Sequence, residues 1–190
     1  MKARRIPPRE TPVMSSKLKN EATTAPRNTN EISGALDAAS LRVAIVAARF
    51  NDFIVAQQLA GSMAAWSRCG GRADQLVILR VPGAFELPLA AKQLADSGQY
   101  DAVVALGCVI RGDTAHFDYV AGEAASGLTR ASLDTGVPVV FGVLTVDTVE
   151  QAQERADVAR MNKGGESMDV AIEMANLLRG AAFERVGPAR

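Results

Sequence analysis

The stretch Gly112-Asp113-Thr114-Ala115-His116 is equipped both to hold an anion and to move a proton. A glycine ahead of a threonine at a helix start leaves backbone N–H groups without helical partners. These groups, together with the hydroxyl, suit a phosphate. His116 is the single histidine in the chain, so any imidazole chemistry runs through it; an imidazole gives and takes protons near neutral pH. The plainer reading is that Asp113 or Thr114 caps the helix and His116 is a surface residue. Asp113 also repels an anion unless its carboxylate turns away.

Other stretches offer different chemistry. In Gly83-Ala84-Phe85-Glu86, glycine permits a tight turn, alanine leaves room for a ligand, and a helix-start glutamate can accept hydrogen bonds from hydroxyls. A turn followed by an ordinary N-terminal acid reads equally well. Phe50 follows an apolar run on a polar turn, where an aromatic ring can stack on a planar heterocycle or belong to the core. Arg155 lies on an amphipathic stretch and is either a solvated charge or an anion ligand. Cys108, with no histidine beside it in sequence, reads as a small strand-end hydrophobe more readily than as a nucleophile.

The elements that must position these residues follow from apolar patterning. Residues 41–48, 75–81, 100–110 and 137–144 are short β-branched apolar runs of the kind buried on both faces of a sheet. Helical spacing falls over about 52–69, 85–97, 115–134, 148–159 and 166–180. Ile54, Leu59, Met63 and Trp66 mark the first helix, and Gly70-Gly71, Gly98 and Gly136 act as stops. Asn162-Lys163-Gly164-Gly165 is expected to separate the last two helices. Strands alternating with helices predict right-handed βαβ units, hence a three-layer α/β/α domain around a four-stranded parallel sheet. Ligands of such sheets bind beyond the carboxyl ends of the strands, where the four stretches above fall.

Composition narrows the class. The chain has 190 residues, 48% hydrophobic and 22% charged, with 21 basic and 21 acidic side chains. That suits one domain with a tail. Residues 1–33 carry seven Lys and Arg against three Glu and almost no large apolar side chain, while the rest holds 14 basic against 18 acidic residues. The first segment is read as a disordered basic tail and 34–190 as the domain. Its scattered basic residues lack interleaved aromatics, so no nucleic-acid partner is expected. No apolar run spans a bilayer and no h-region follows the basic start, so no membrane role is expected and the location read is cytoplasmic, with Cys69 and Cys108 reduced. No ligand spacing supports a metal, and no Walker or dinucleotide loop appears.

Several motifs in fixed order resemble 6,7-dimethyl-8-ribityllumazine synthases. They are Ala48-Arg49-Phe50-Asn51, Val81-Pro82-Gly83-Ala84-Phe85-Glu86-Leu87-Pro88, the run from Ala105 to Val120, Gly136 to Thr145, Glu154-Arg155-Ala156 and Asn162-Lys163-Gly164. The resemblance covers about 41–180. It implies a flavodoxin-like fold and a cofactor-free transferase of riboflavin biosynthesis, joining 5-amino-6-(D-ribitylamino)uracil to 3,4-dihydroxy-2-butanone 4-phosphate. By that resemblance Phe50 stacks on the pyrimidine, while Ala84, Phe85, Glu86, Cys108, Val109 and Ile110 hold the uracil and ribityl groups. Asp113 (through its backbone), Thr114 and Arg155 bind the phosphate, and His116 is the general acid/base. Phe141 and Arg155 come from the next subunit of a homopentamer, with Lys163 adding positive charge. Pentamers form in some members an icosahedral shell of twelve, and a functional link to riboflavin synthase is left open. Two departures stand out: Cys108, where many members carry Thr or Ala, and residues 156–162, unlike the loop of shell formers. A binding paralogue that retains lumazine or flavin without turnover is the alternative. It needs Phe50 and Glu86 but not His116 and Arg155 together.

Overall fold

The computed structural model describes residues 32–180. The basic tail expected over 1–33 therefore lies, apart from Ile32 and Ser33, outside the described residues, as do residues 181–190. Packed chain is already present ahead of the first strand. Ala38 and Leu41 are fully buried, and Asn176 Nδ2 donates to the carbonyls of Ala35 at 2.7 Å and Asp37 at 2.8 Å.

Strands β1 (Val43–Ala48), β2 (Leu76–Val81), β3 (Ala102–Ile110) and β4 (Val139–Val146) form one parallel sheet in the order β2-β1-β3-β4. Helices α1 (Asp52–Arg68), α2 (Leu87–Asp96), α3 (His116–Thr135), α4 (Val149–Ala156) and α5 (Lys163–Arg179) cover both faces. Side-chain alternation divides the core in two. Val43, Ile45 and Ala47 join Trp66, Met168 and Ile172 under α1, α4 and α5. Ala44, Val46 and Ala48 join Leu87, Ala91 and Leu128 under α2 and α3. Both faces of β1 are thus dry, which is why its residues read as an unbroken apolar run rather than an alternating one. The three-layer α/β/α expectation holds.

Element boundaries differ where glycine and proline act in ways the pattern does not display. Gly164-Gly165, read as a break, lies inside the first turn of α5 and is buried. A Cβ on Gly164 would collide with the Gln58 carbonyl of α1, and Ser62 Oγ donates to the Gly164 carbonyl at 2.7 Å. Glycine serves here to bring two helix backbones together, not to end one. The real start is Asn162, whose backbone is left-handed (φ 44°) and whose Oδ1 accepts from Gly165 N at 3.1 Å. The second helix opens with a 3₁₀ turn, Ala84–Glu86, before α2 proper, with Pro88 in its first turn. Met63 is exposed on α1, whereas Gln58 and Ser62 are buried.

The strand order places the connections after β1 and β3 on opposite sheet faces. That leaves a crevice at the carboxyl ends of these two neighbours, the usual place for a ligand in such a fold.

Candidate functional site

A cavity of about 370 Å³ occupies that crevice. Most of its walls come from the carboxyl ends of β1, β2 and β3 and the stretches that follow them. Phe50 enters from the first, Ala84 and Phe85 from the second, and Cys108, Val109, Ile110, Thr114 and His116 from the third. Eight of the residues singled out in the sequence are therefore brought together. Phe50 is 71% exposed and Phe85 58%. Side chains this apolar on a pocket rim favour a flat, partly apolar guest.

The backbone explains why Phe50 stands there. Arg49 N–H donates to the Val81 carbonyl at 2.8 Å and Phe50 N–H to the Pro82 carbonyl at 3.0 Å, continuing the β1–β2 pairing past the end of the sheet. His116 is the first residue of α3, is exposed, and its N–H lies 3.4 Å from Thr114 Oγ1. Arg111 fixes that first turn. Its Nε donates to Asp147 Oδ1 at 3.0 Å and its Nη1 to Asp118 Oδ1 at 3.2 Å. Its guanidinium sits 4.1 Å from the centroid of the Phe117 ring, a cation–π contact. The hydrogen bond it donates to Asp147, ahead of the one to Asp118, holds its pKa above the ordinary arginine value.

Two predicted residues are not part of the cavity wall. Glu86 does not line the cavity; its Oε2 accepts from Gly83 N–H at 2.8 Å and so closes the turn that presents Ala84 and Phe85. Asp113 is exposed and lines neither of the pockets described here. Cys108 is buried, and desolvation pushes its thiol from an ordinary 9.0 up to about 11, which keeps it neutral and unreactive at pH 7. The reading of Cys108 as a strand-end hydrophobe fits that environment.

Phe141 and Arg155 are elsewhere. They line a second pocket of about 470 Å³ along β4, roofed by α4 and α5, which shares no lining residue with the first. Arg155 Nη1 donates to the Gln151 carbonyl at 3.1 Å, and among the described residues no carboxylate pairs with it. Lys163 lines the same pocket and is bonded to Glu166 at 2.6 Å. The second pocket thus offers a guanidinium with donors to spare, which suits a phosphate or carboxylate.

Sequence reasoning missed Phe117 and Val120, which wall the first cavity one helical face along from His116. Their spacing of one and four residues from the histidine was the available signal. It also missed Gln58, fully buried, whose Nε2 donates to the Gly142 carbonyl at 2.8 Å next to Phe141. A glutamine among apolar helix positions gives no such hint. Among the described residues no group of His, Cys, Asp and Glu could hold a metal ion, and no helix is long and apolar enough to cross a membrane.

The family model for 6,7-dimethyl-8-ribityllumazine synthase matches residues 40–179, a span that includes the whole sheet, all five helices and both pockets. The chain belongs to the 6,7-dimethyl-8-ribityllumazine synthase family.

Proposed function

We propose that the protein condenses 5-amino-6-(D-ribitylamino)uracil with 3,4-dihydroxy-2-butanone 4-phosphate, giving 6,7-dimethyl-8-ribityllumazine, phosphate and water. The 5-amino group attacks the ketone, an imine forms with loss of water, phosphate leaves, and the ring closes with loss of a second water. The single observation that carries this reading is the first cavity, where one imidazole, an exposed phenyl ring and a helix start meet in one crevice. Phe50 stacks on the pyrimidine. The Ala84–Phe85 turn and Cys108–Ile110 line the bed for uracil and ribityl groups, and the Glu86 oxygen not bonded to Gly83 is offered to a ribityl hydroxyl. His116 moves the protons, taking one from the attacking amine and giving one to the departing oxygen. Thr114 and the Asp113 backbone receive the phosphate at the start of α3.

Arg155 and Phe141 complete the site from a neighbouring subunit. Support comes from their separation from His116 into a different pocket of the same chain. A head-to-tail ring sets one surface of each copy against a different surface of the next, so the first cavity of one protomer meets the second pocket of another. A homopentamer is the proposed unit, acting in the cytoplasm without cofactor. Residues 1–33 are proposed to be dispensable for chemistry.

The test is direct. Purified protein mixed with both substrates should develop lumazine absorbance and release phosphate stoichiometrically. Binding of preformed lumazine without any turnover would leave the retaining paralogue as the function instead.

A further inference from the structure

We propose that Asn51 is the positioning residue of the aminouracil half of the site, its side-chain amide locking the Phe50 turn onto β3 and so setting the gap in which the heterocycle stacks. The inference rests on the function proposed above and adds to it a residue that touches neither substrate.

Asn51 holds a left-handed backbone, φ 58° and ψ 40°, directly after Phe50 and directly before α1. Among the described residues only Asn162 shares such a conformation outside glycine. Both are asparagines and both stand at the N-cap of a helix. They part company in their side chains. Asn162 does what an N-cap asparagine ordinarily does, accepting a first-turn N–H on Oδ1. Asn51 makes no side-chain cap. Its Nδ2 instead reaches the carbonyl of Cys108, 57 residues further along the chain, at 2.9 Å.

The sheet register explains that choice. The β1–β3 ladder ends at Ala47 and Leu106, yet β3 continues to Ile110. Cys108 lies two residues beyond the last rung, where β1 has no backbone left to pair with it. The Asn51 amide supplies the missing donor and extends the ladder by a side chain. Phe50 is then held from both sides: its own N–H is on the Pro82 carbonyl of one neighbouring loop, and the next residue is pinned to β3. Cys108, Val109 and Ile110 are cavity wall. The bond therefore fixes the width between the stacking ring and the opposite wall. The side-chain helix cap an asparagine could supply here is forgone for it.

Two substitutions separate positioning from folding. N51D tolerates the left-handed backbone and can cap α1, but its carboxylate cannot donate to a carbonyl. N51G tolerates the backbone and removes the bond without adding charge. For both, KM for the aminouracil should rise about three- to tenfold, the range a single net hydrogen bond supports. KM for the butanone phosphate should stay unchanged, and melting temperature should stay within about 3 °C of wild type. Titration with the lumazine product should show the same weakening. Aminouracil KM equal to wild type in both variants overturns the inference, as does a parallel rise of both KM values that tracks lost melting temperature. Wild-type protein that neither makes nor binds lumazine overturns the function and this inference with it. Wild-type turnover with unaltered variants overturns this inference alone.

Discussion

The two pockets of this chain are complementary in what they lack. The first lies at the carboxyl ends of β1, β2 and β3, is lined by phenyl rings and small apolar residues, and carries the only imidazole. The second lies along the edge strand β4 and carries Arg155 and Lys163. One can cradle a flat heterocycle and exchange protons; the other can neutralise an anion. The proposed condensation of an aminopyrimidine with a sugar-derived phosphate calls on both sets of groups. The site proposed above divides these tasks between neighbouring copies.

Substitutions at the two pockets should therefore differ in kind. His116→Ala should lower kcat about 10²- to 10⁴-fold with the assembly intact on size-exclusion chromatography; undiminished turnover would remove the imidazole from the mechanism. Arg155→Ala should raise KM for the butanone phosphate about ten- to hundredfold, as loss of a charge-assisted contact does, while aminouracil binding holds. A fall in uracil affinity alone would show that the two pockets have been assigned the wrong partners. Unfolding and refolding the two variants together at equal amounts should restore about one quarter of wild-type activity, since a quarter of random head-to-tail contacts pair two intact halves. No recovery despite mixed oligomers would place the whole site within one chain.

Smaller effects test the surroundings. The Cys108 thiol ionises at about 11 in the fold against 9.0 ordinarily. Above pH 9 the unfolded chain loses that proton first, so stability is complete below about 9 and declines as pH rises towards 11. Cys108→Ala should flatten that decline in urea titrations run between those limits. Removing residues 1–33 should leave kcat and both KM values unchanged, and a loss of folding would show that the tail belongs to the domain.

Much of this was legible in the sequence because the sheet is parallel and buried. Four β-branched runs and well-placed glycines gave the strand count and the alternation with helices, since a strand dry on both faces has no competing pattern. The cavity residues were legible for a related reason: in such a sheet, whatever follows a strand faces the ligand. What was not legible depended on contacts between distant segments. Gly164 looks like a break until the Gln58 carbonyl is seen against it. Glu86 looks like a free carboxylate until Gly83 is found on it. Asn51 is one letter of a motif until its amide is found on Cys108. Each is a polar or small residue whose partner lies on another element or turns back on its own loop, and one-dimensional periodicity carries no record of such pairings.

The close seat of Gly164 against α1 has a mechanical outcome. The helix that leaves the Phe50 turn is wedged, two turns later, against the helix whose first residue is Lys163 of the other pocket. Interiors packed at that spacing do not yield gradually. A displacement at either recess must carry its counterpart along, so the protomer behaves as a stiff bracket that holds its two recesses at a fixed separation.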